Sequence, residues 1–368
     1  MRLTAVAYGL LALFALGVPL LGIYPVFMMQ LLCLAMFACA YNLLLGFGRM
    51  LSFGHAAFFG AAAYATGWLV TAHAWGPGAA ILAGVAVAGL LGLAVGALAI
   101  RRQGIYFAMI TLALAQLVYF VCLEAPFTGG ENGLQGVPRG QLLGFLPLKS
   151  DVVLYYVVLA AFVAVFLFIR RVVHSPFGQV LKAIRDNEPR AISLGYEINR
   201  YKLLAFVLSA TLAGFAGSLK ALVFGFVTLS DVQQSTSGEV ILMTLLGGTG
   251  TFFGPVVGAA VVATLQQYLS DLVGGWVIAI IGVVFVACVL SFRRGIVGEL
   301  AAARWLRRAP PPRCTPSRTQ APQRASAMTL ASGVSSSATA RASGKESLTR
   351  LLSTAPGGVS MKSRQPSS

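Results

Sequence analysis

Asp151-Val-Val-Leu-Tyr-Tyr-Val-Val-Leu-Ala-Ala-Phe-Val-Ala-Val-Phe-Leu-Phe-Ile169 sets an unbroken uncharged run between one acid and the pair Arg170 and Arg171. A helix rises about 1.5 Å per residue, so about 20 apolar residues cross the roughly 30 Å hydrocarbon core of a bilayer. The stretch reads as a spanning helix with its basic end at one interface. Runs of the same kind occupy about 3–22, 26–46, 51–72, 78–100, 104–124, 201–225 and 275–291. The expectation is an all-α, polytopic transmembrane bundle with about eight full spans. The first run follows Arg2 and resembles a signal peptide, but a second span begins at about residue 26, so it is read as a retained helix.

Composition agrees with lipid as the solvent. Residues are 57% hydrophobic and only 10% charged, with a mean hydropathy of +0.81, whereas soluble domains carry roughly one-quarter charged residues. The net charge of +16 is unevenly spread: residues 1–303 hold 16 Lys and Arg against 10 Asp and Glu, and residues 304–368 hold 11 against Glu346 alone. Such a split argues against a nucleic-acid partner, because most of the basicity lies in a tail rich in Ala, Ser, Pro, Thr and Arg. That tail, 304–368, cannot bury a core and is expected to be disordered, either passive or drawn to anionic head groups. The chain thus divides into a membrane domain, 1–303, and a basic low-complexity tail. Cysteines at 33, 39, 122, 288 and 314 form no CxxC pair and read as packing residues, and nothing suggests a metal site.

The positive-inside rule orients the spans. Arg49, Arg101 with Arg102, Arg293 with Arg294, and the cluster in 170–202 all belong on the cytoplasmic side. Parity then fails unless the region after 225 doubles back. The segment Leu245-Leu-Gly-Gly-Thr-Gly-Thr-Phe-Phe-Gly-Pro-Val-Val-Gly258 holds five glycines and a proline, too many helix breakers for one continuous span. A broken or re-entrant hairpin is expected, with 238–247 entering from outside and 255–270 returning. Irregular backbone at membrane depth belongs where protein or a wet cavity surrounds it. Gly247, Gly248 and Thr249 are therefore candidates for the translocation path, with close helix packing as the plainer reading.

The loop 170–200 holds Ser175-Pro-Phe-Gly-Gln-Val-Leu-Lys-Ala-Ile-Arg-Asp-Asn-Glu-Pro-Arg-Ala-Ile-Ser-Leu-Gly195. Val180, Leu181 and Ile184 share a helical face, Asn187 fits an N-cap, Pro189 a first turn and Gly195 a C-terminal stop. Two short helices with a break make a rigid knob. It suits either force transfer from a soluble motor or an interfacial position on lipid.

The same loop, with Asn199-Arg-Tyr-Lys-Leu-Leu-Ala-Phe-Val-Leu-Ser-Ala-Thr-Leu-Ala-Gly-Phe-Ala-Gly217, resembles the branched-chain amino acid ABC transporter permease family, in its LivM branch. Leu51-Ser-Phe-Gly-His-Ala-Ala-Phe-Phe-Gly60, Arg102-Gln-Gly-Ile-Tyr-Phe-Ala-Met-Ile-Thr-Leu-Ala113 and Thr128-Gly-Gly-Glu-Asn-Gly-Leu134 carry the resemblance further, as does the glycine-rich break. It covers about residues 25–298. It implies a bacterial inner-membrane permease, multi-pass with cytoplasmic termini, paired with a homologous second permease, two cytoplasmic ATPase subunits and a periplasmic solute-binding protein. The docking residues it implies are Pro176, Gly178, Arg185, Asp186, Glu188 and Gly195. The solute would be a branched-chain or similar amino acid, with urea, amides or other small organic solutes as alternatives. Lys220 departs from the apolar pattern of its helix. It either reaches outward along its methylenes or pairs with an acid.

No G-x-x-x-x-G-K-[ST] motif occurs, so this chain is expected to bind no cofactor, and ATP would be used by partner subunits. No catalytic constellation is visible either, which points to transport rather than an enzyme. Ser52 and His55 lie three residues apart on the expected helix and so share a face, and with Thr111 and Gln116 they either line the path or bond helices together. Glu239, at the expected outer mouth of the hairpin, either caps a helix or meets a solute ammonium. An ion-coupled secondary transporter is the rival class. Such a carrier usually needs intramembrane acids, and Glu124, Asp151, Asp231, Glu239 and Asp271 all lie near expected span ends.

Overall fold

The computed structural model describes residues 24–142, 146–148 and 150–273, with isolated positions at 280, 282, 283, 295 and 297. The run 3–22, the run 275–291 apart from those isolated positions, Arg293, Arg294, Cys288, Cys314 and the tail 304–368 lie outside the described residues. The described part is helical with short connections. Five of its helices are long and apolar enough to cross a membrane: α1 (Pro25–Asn42, continued by a π turn, Leu43–Phe47), α3 (Pro77–Ala99), α4 (Ile105–Glu124), α5 (Asp151–His174) and α8 (Ile198–Phe224). The run 51–72 becomes α2 (His55–His73). Its helix begins later than expected, because the Tyr41 hydroxyl donates to the Ser52 carbonyl at 3.0 Å and holds Ser52 in the preceding turn.

α1 and α8 form the centre, 78% and 72% buried, whereas α3, α4 and α5 are 33%, 28% and 39% buried. Leu82, Leu90, Met109, Leu117 and Leu167 are exposed on these outer helices. An apolar rim around an apolar core is the pattern of a protein solvated by lipid. α2, α3 and α8 pack as one sheaf, and small residues permit the approach. A Cβ on Gly217 of α8 would collide with the Phe59 carbonyl of α2, so the two backbones touch where a side chain cannot fit.

At one end of the bundle lie α6 (Pro176–Asp186) and α7 (Glu188–Ser193). At the other end β1 (Leu134–Gln135) pairs antiparallel with β4 (Phe226–Val227), in register Leu134 with Val227 and Gln135 with Phe226. A small hairpin of β2 (Gln141–Leu142) and β3 (Leu146–Pro147) lies nearby in the chain. The expected turn at Thr128–Gly133 consists of two 3-10 turns with Gly129, Gly130 and Gly133 all at positive φ.

The glycine-rich segment breaks into α9 (Gln234–Gly247) and α10 (Gly254–Val273), joined at 248–253. The two pack against each other and against α1. Gly258 makes this packing feasible, since a Cβ there would overlap the Met243 carbonyl. α9 starts four residues before the expected 238. Glu239 therefore lies in its second turn, and the first turn carries no acid.

Candidate functional site

The knob is built by local chemistry and then locked by distant side chains. The Ser175 hydroxyl caps α6 by accepting from the Gly178 amide at 3.4 Å, and the Asn187 side chain caps α7 by accepting from the Arg190 amide at 3.1 Å. Pro176 and Pro189 occupy first-turn positions, where a missing N–H costs nothing. Gly195, at φ +84°, closes the second helix. Leu181 and Ile184 are buried, the latter in a small cluster with Ala191 and Ile198 that Val180 joins.

Polar contacts fasten this unit to the bundle, among them a bond from the Arg49 guanidinium to the Arg185 carbonyl at 3.5 Å. Both Glu188 carboxylate oxygens lie 2.9 Å from the Lys202 ammonium of α8, and the Gln103 amide donates to one of them at 2.7 Å. The Arg185 guanidinium donates to the Gly46 carbonyl at 3.1 Å while pairing with Asp186 at 3.0 Å. Lys202 is nearly buried, so its charge is held by Glu188 rather than by water. Ile192, Leu194 and Tyr196 are left exposed on the far side, at 62%, 67% and 41%. Between knob and bundle is a cleft of about 610 Å³, lined by Arg49, Arg102, Gln103, Asn187 and Glu188 among others.

The remaining candidates fall into two places. Ser52 and His55 are fully buried. His55 Nε2 lies 2.8 Å from Ser209 Oγ of α8, and His55 Nδ1 lies 3.3 Å from Ser52 Oγ. Thr111 is also buried, accepting from the Phe53 amide at 3.3 Å and donating to the Ala108 carbonyl at 2.8 Å. These groups join helices. Gln116 is different, because it opens onto a cavity of about 460 Å³ shared with Tyr119, Gln233, Gln234, Ser235 and Gly238. Its amide donates to Gln234 at 3.4 Å. Glu239 is directed elsewhere, next to Gln266 of α10 and within electrostatic reach of Lys220 and Asp231. Gly247 and Gly248 are buried at the break, and Thr249 is exposed.

Lys220 pairs with Asp231, and its ammonium lies 5.6 Å from the Phe59 ring centre and 5.7 Å from that of Phe224. The interhelical ion pair is thus the arrangement found, not an outward reach. Sequence reading passed over Asn42, Ser209, Ser218, Gln234 and Ser237. Asn42, Ser209 and Ser218 offered the signal of a polar residue inside an apolar run, whereas Gln234 and Ser237 lie in a polar stretch that offered none. Among the described residues no three His, Cys, Asp or Glu side chains cluster as a metal site.

Long apolar helices around an apolar core crossed by a few buried polar bonds, a broken helix pair and a stiff knob at one end define a polytopic membrane protein. The chain belongs to the family described as the branched-chain amino acid transport system permease component, which it matches over residues 25–290. It is 32% identical over 212 residues to the high-affinity branched-chain amino acid transport system permease protein LivM of Escherichia coli strain K12, covering 50% of each chain. It is 28% identical over 190 residues to the probable LivM of Methanocaldococcus jannaschii, covering 50% of this chain and 54% of that one. The ribose import permease RbsC of Bacillus subtilis is 28% identical over 158 residues, 39% of this chain and 44% of its own. The chain thus spans about half the length of these curated LivM relatives. No solved structure matches it.

Proposed function

We propose that the chain is the membrane subunit of an ATP-driven importer that carries branched-chain amino acids across a bacterial inner membrane. Its partners in this reading are a homologous second permease, two cytoplasmic ATPase subunits and a periplasmic binding protein, with about eight spans and both termini in the cytoplasm. The observation that carries it is the knob. A doubly capped helix pair, locked to α1 and α8, presents apolar Ile192 and Leu194 where a solvated linker would present charge. Such a surface fits a groove on a motor subunit, and its rigid mounting passes force into the bundle.

The Gln116–Gln234 cavity supports a solute path along α4 and α9. Amide side chains in the middle of a spanning helix are costly against lipid and belong beside water or protein. In this reading Gln116 and Gln234 contact the solute or its water, the break at Gly247, Gly248 and Thr249 forms the inner gate, and Thr111, Ser52 and His55 brace the wall. The names of the LivM relatives favour a branched-chain amino acid, whereas the ribose relative indicates that the scaffold serves other solutes.

The test is an Ile192→Glu, Leu194→Glu double substitution in affinity-purified membranes. Both side chains are apolar and exposed, so the permease should keep its fold and lose copurifying ATPase and ATP-driven leucine uptake. A stable preparation without ATPase that still moves solute down an ion gradient would sink the reading.

A further inference from the structure

The knob and the broken helix pair are joined through one short piece of α1. Arg185 of α6 donates to the Gly46 carbonyl at 3.1 Å. Gly46 belongs to the π turn Leu43–Phe47. Directly before that turn the buried Asn42 spends both ends of its amide on the break between α9 and α10. Its Nδ2 donates to the Thr251 carbonyl at 2.9 Å, and its Oδ1 accepts from the Gly250 amide at 3.0 Å. A backbone carbonyl and a backbone N–H on the two sides leave only one orientation for the amide. Gly46 has to be a glycine for these pieces to meet, since a Cβ there would overlap both Asn42 Oδ1 and the Gly250 backbone.

The π turn supplies an element with two arrangements. It holds one residue more than the α-helical path would, and reverting to α geometry rotates the downstream residues by about 100° relative to the upstream ones. Asn42 lies before the turn and Gly46 within it, so a change in the turn moves the carbonyl that Arg185 holds relative to the bonds that Asn42 makes to the break. The helix ends at Arg49 in the left-handed region, φ +56°, an arrangement that strains a residue with a side chain.

We infer that Arg185, the Leu43–Phe47 turn and Asn42 form a relay that converts movement of the knob into opening of the α9–α10 break, with Asn42 as the positioning residue. This rests on the knob being the motor contact. Loss of Asn42 then separates hydrolysis from transport instead of abolishing both.

The experiment reconstitutes the complete transporter in proteoliposomes and reads solute uptake per ATP hydrolysed. Asn42→Ala removes both bonds; Asn42→Asp keeps an acceptor for Gly250 but offers no donor to Thr251. Both variants are expected to retain ATP hydrolysis stimulated by the binding protein while uptake per ATP falls about tenfold, within the usual span of coupling between sites. Uptake and hydrolysis falling in parallel, or neither changing, overturns the relay. If Asn42→Ala does not assemble, Asn42→Asp is read by the same ratio; if neither assembles, Asn42 is structural and the relay is overturned. A wild-type complex without ATP-dependent uptake defeats the motor reading itself, whereas coupled wild type with coupled variants defeats the relay alone.

Discussion

His55 Nε2 and Ser209 Oγ lie 2.8 Å apart, and the same hydroxyl donates to the Ala40 carbonyl at 2.6 Å. Because Ser209 gives its proton to Ala40, it accepts from His55, which places the imidazole proton on Nε2 and leaves Nδ1 to accept from Ser52. One buried chain of hydrogen bonds therefore ties α1, α2 and α8 together. Ser209→Ala strands the His55 N–H, at a cost of about 1–3 kcal/mol for an unpaired buried donor. The apparent melting temperature of the detergent-purified chain is expected to drop. An unchanged melting temperature would show that the chain of bonds adds nothing.

Lys220, half-buried, and Asp231, buried, form a second link, between α8 and the segment leading to α9. Asp231 also accepts from the Thr228 amide at 3.3 Å. Lys220→Met removes the cation and leaves a nearly buried carboxylate, at a cost of about 3 kcal/mol. Adding Asp231→Asn removes the orphaned charge while keeping an acceptor for Thr228. The double variant is expected to be more stable than Lys220→Met alone, and a double-mutant cycle by thermal unfolding measures the coupling.

Glycines offer a matched comparison. Gly258→Ala drives a methyl group into the Met243 carbonyl, where backbone faces backbone and no side chain can swing aside. A loss of several kcal/mol, or failure to assemble, is expected. Gly238 has open space around its Cβ position, so Gly238→Ala should leave stability unchanged or raise it by about 0.5–1 kcal/mol through helix propensity. Thermal stability of the two variants checks both expectations at once.

Glu188 anchors the knob through Lys202 and Gln103. Glu188→Gln keeps a partner for Gln103 but releases the Lys202 ammonium. Hydrogen exchange across 175–195 should quicken, while protection in the adjoining α8 stays in place. Equal protection in both forms would mean that capping and the Leu181 contacts hold the knob without the ion pair.

The knob was legible in the sequence because its signals are local. Asn187, Pro189 and Gly195 each act within a few residues of themselves. The glycine-rich break was legible for the same reason. The start of α9 was not, because Gln234-Ser-Thr-Ser237 has no apolar period and is helical in a polar cavity that only tertiary packing creates. Ser52 read as helical because Leu51 and Phe53 extend an apolar run, while the bond from Tyr41 that holds it outside the helix is a tertiary one. An ion pair of Lys220 stood only as one of two readings with no named acid, and the double bond-making of Asn42 was invisible, for a related reason: partners 11, 208 and 209 residues away leave no periodic trace.

The β1–β4 pairing has a mechanical consequence. With Leu134 opposite Val227 and Lys220 on Asp231, the stretch leading into α9 is pinned twice at one end of the bundle. α9 is then an arm hinged at its start, and its 14 residues make it about 21 Å long. A tilt of about 10° about that hinge leaves the Gln116 cavity nearly still yet displaces the 248–253 turn by about 3–4 Å, given the helical rise. Amplitude grows with distance from the pivot, so the largest stroke falls at the end where Arg185 waits.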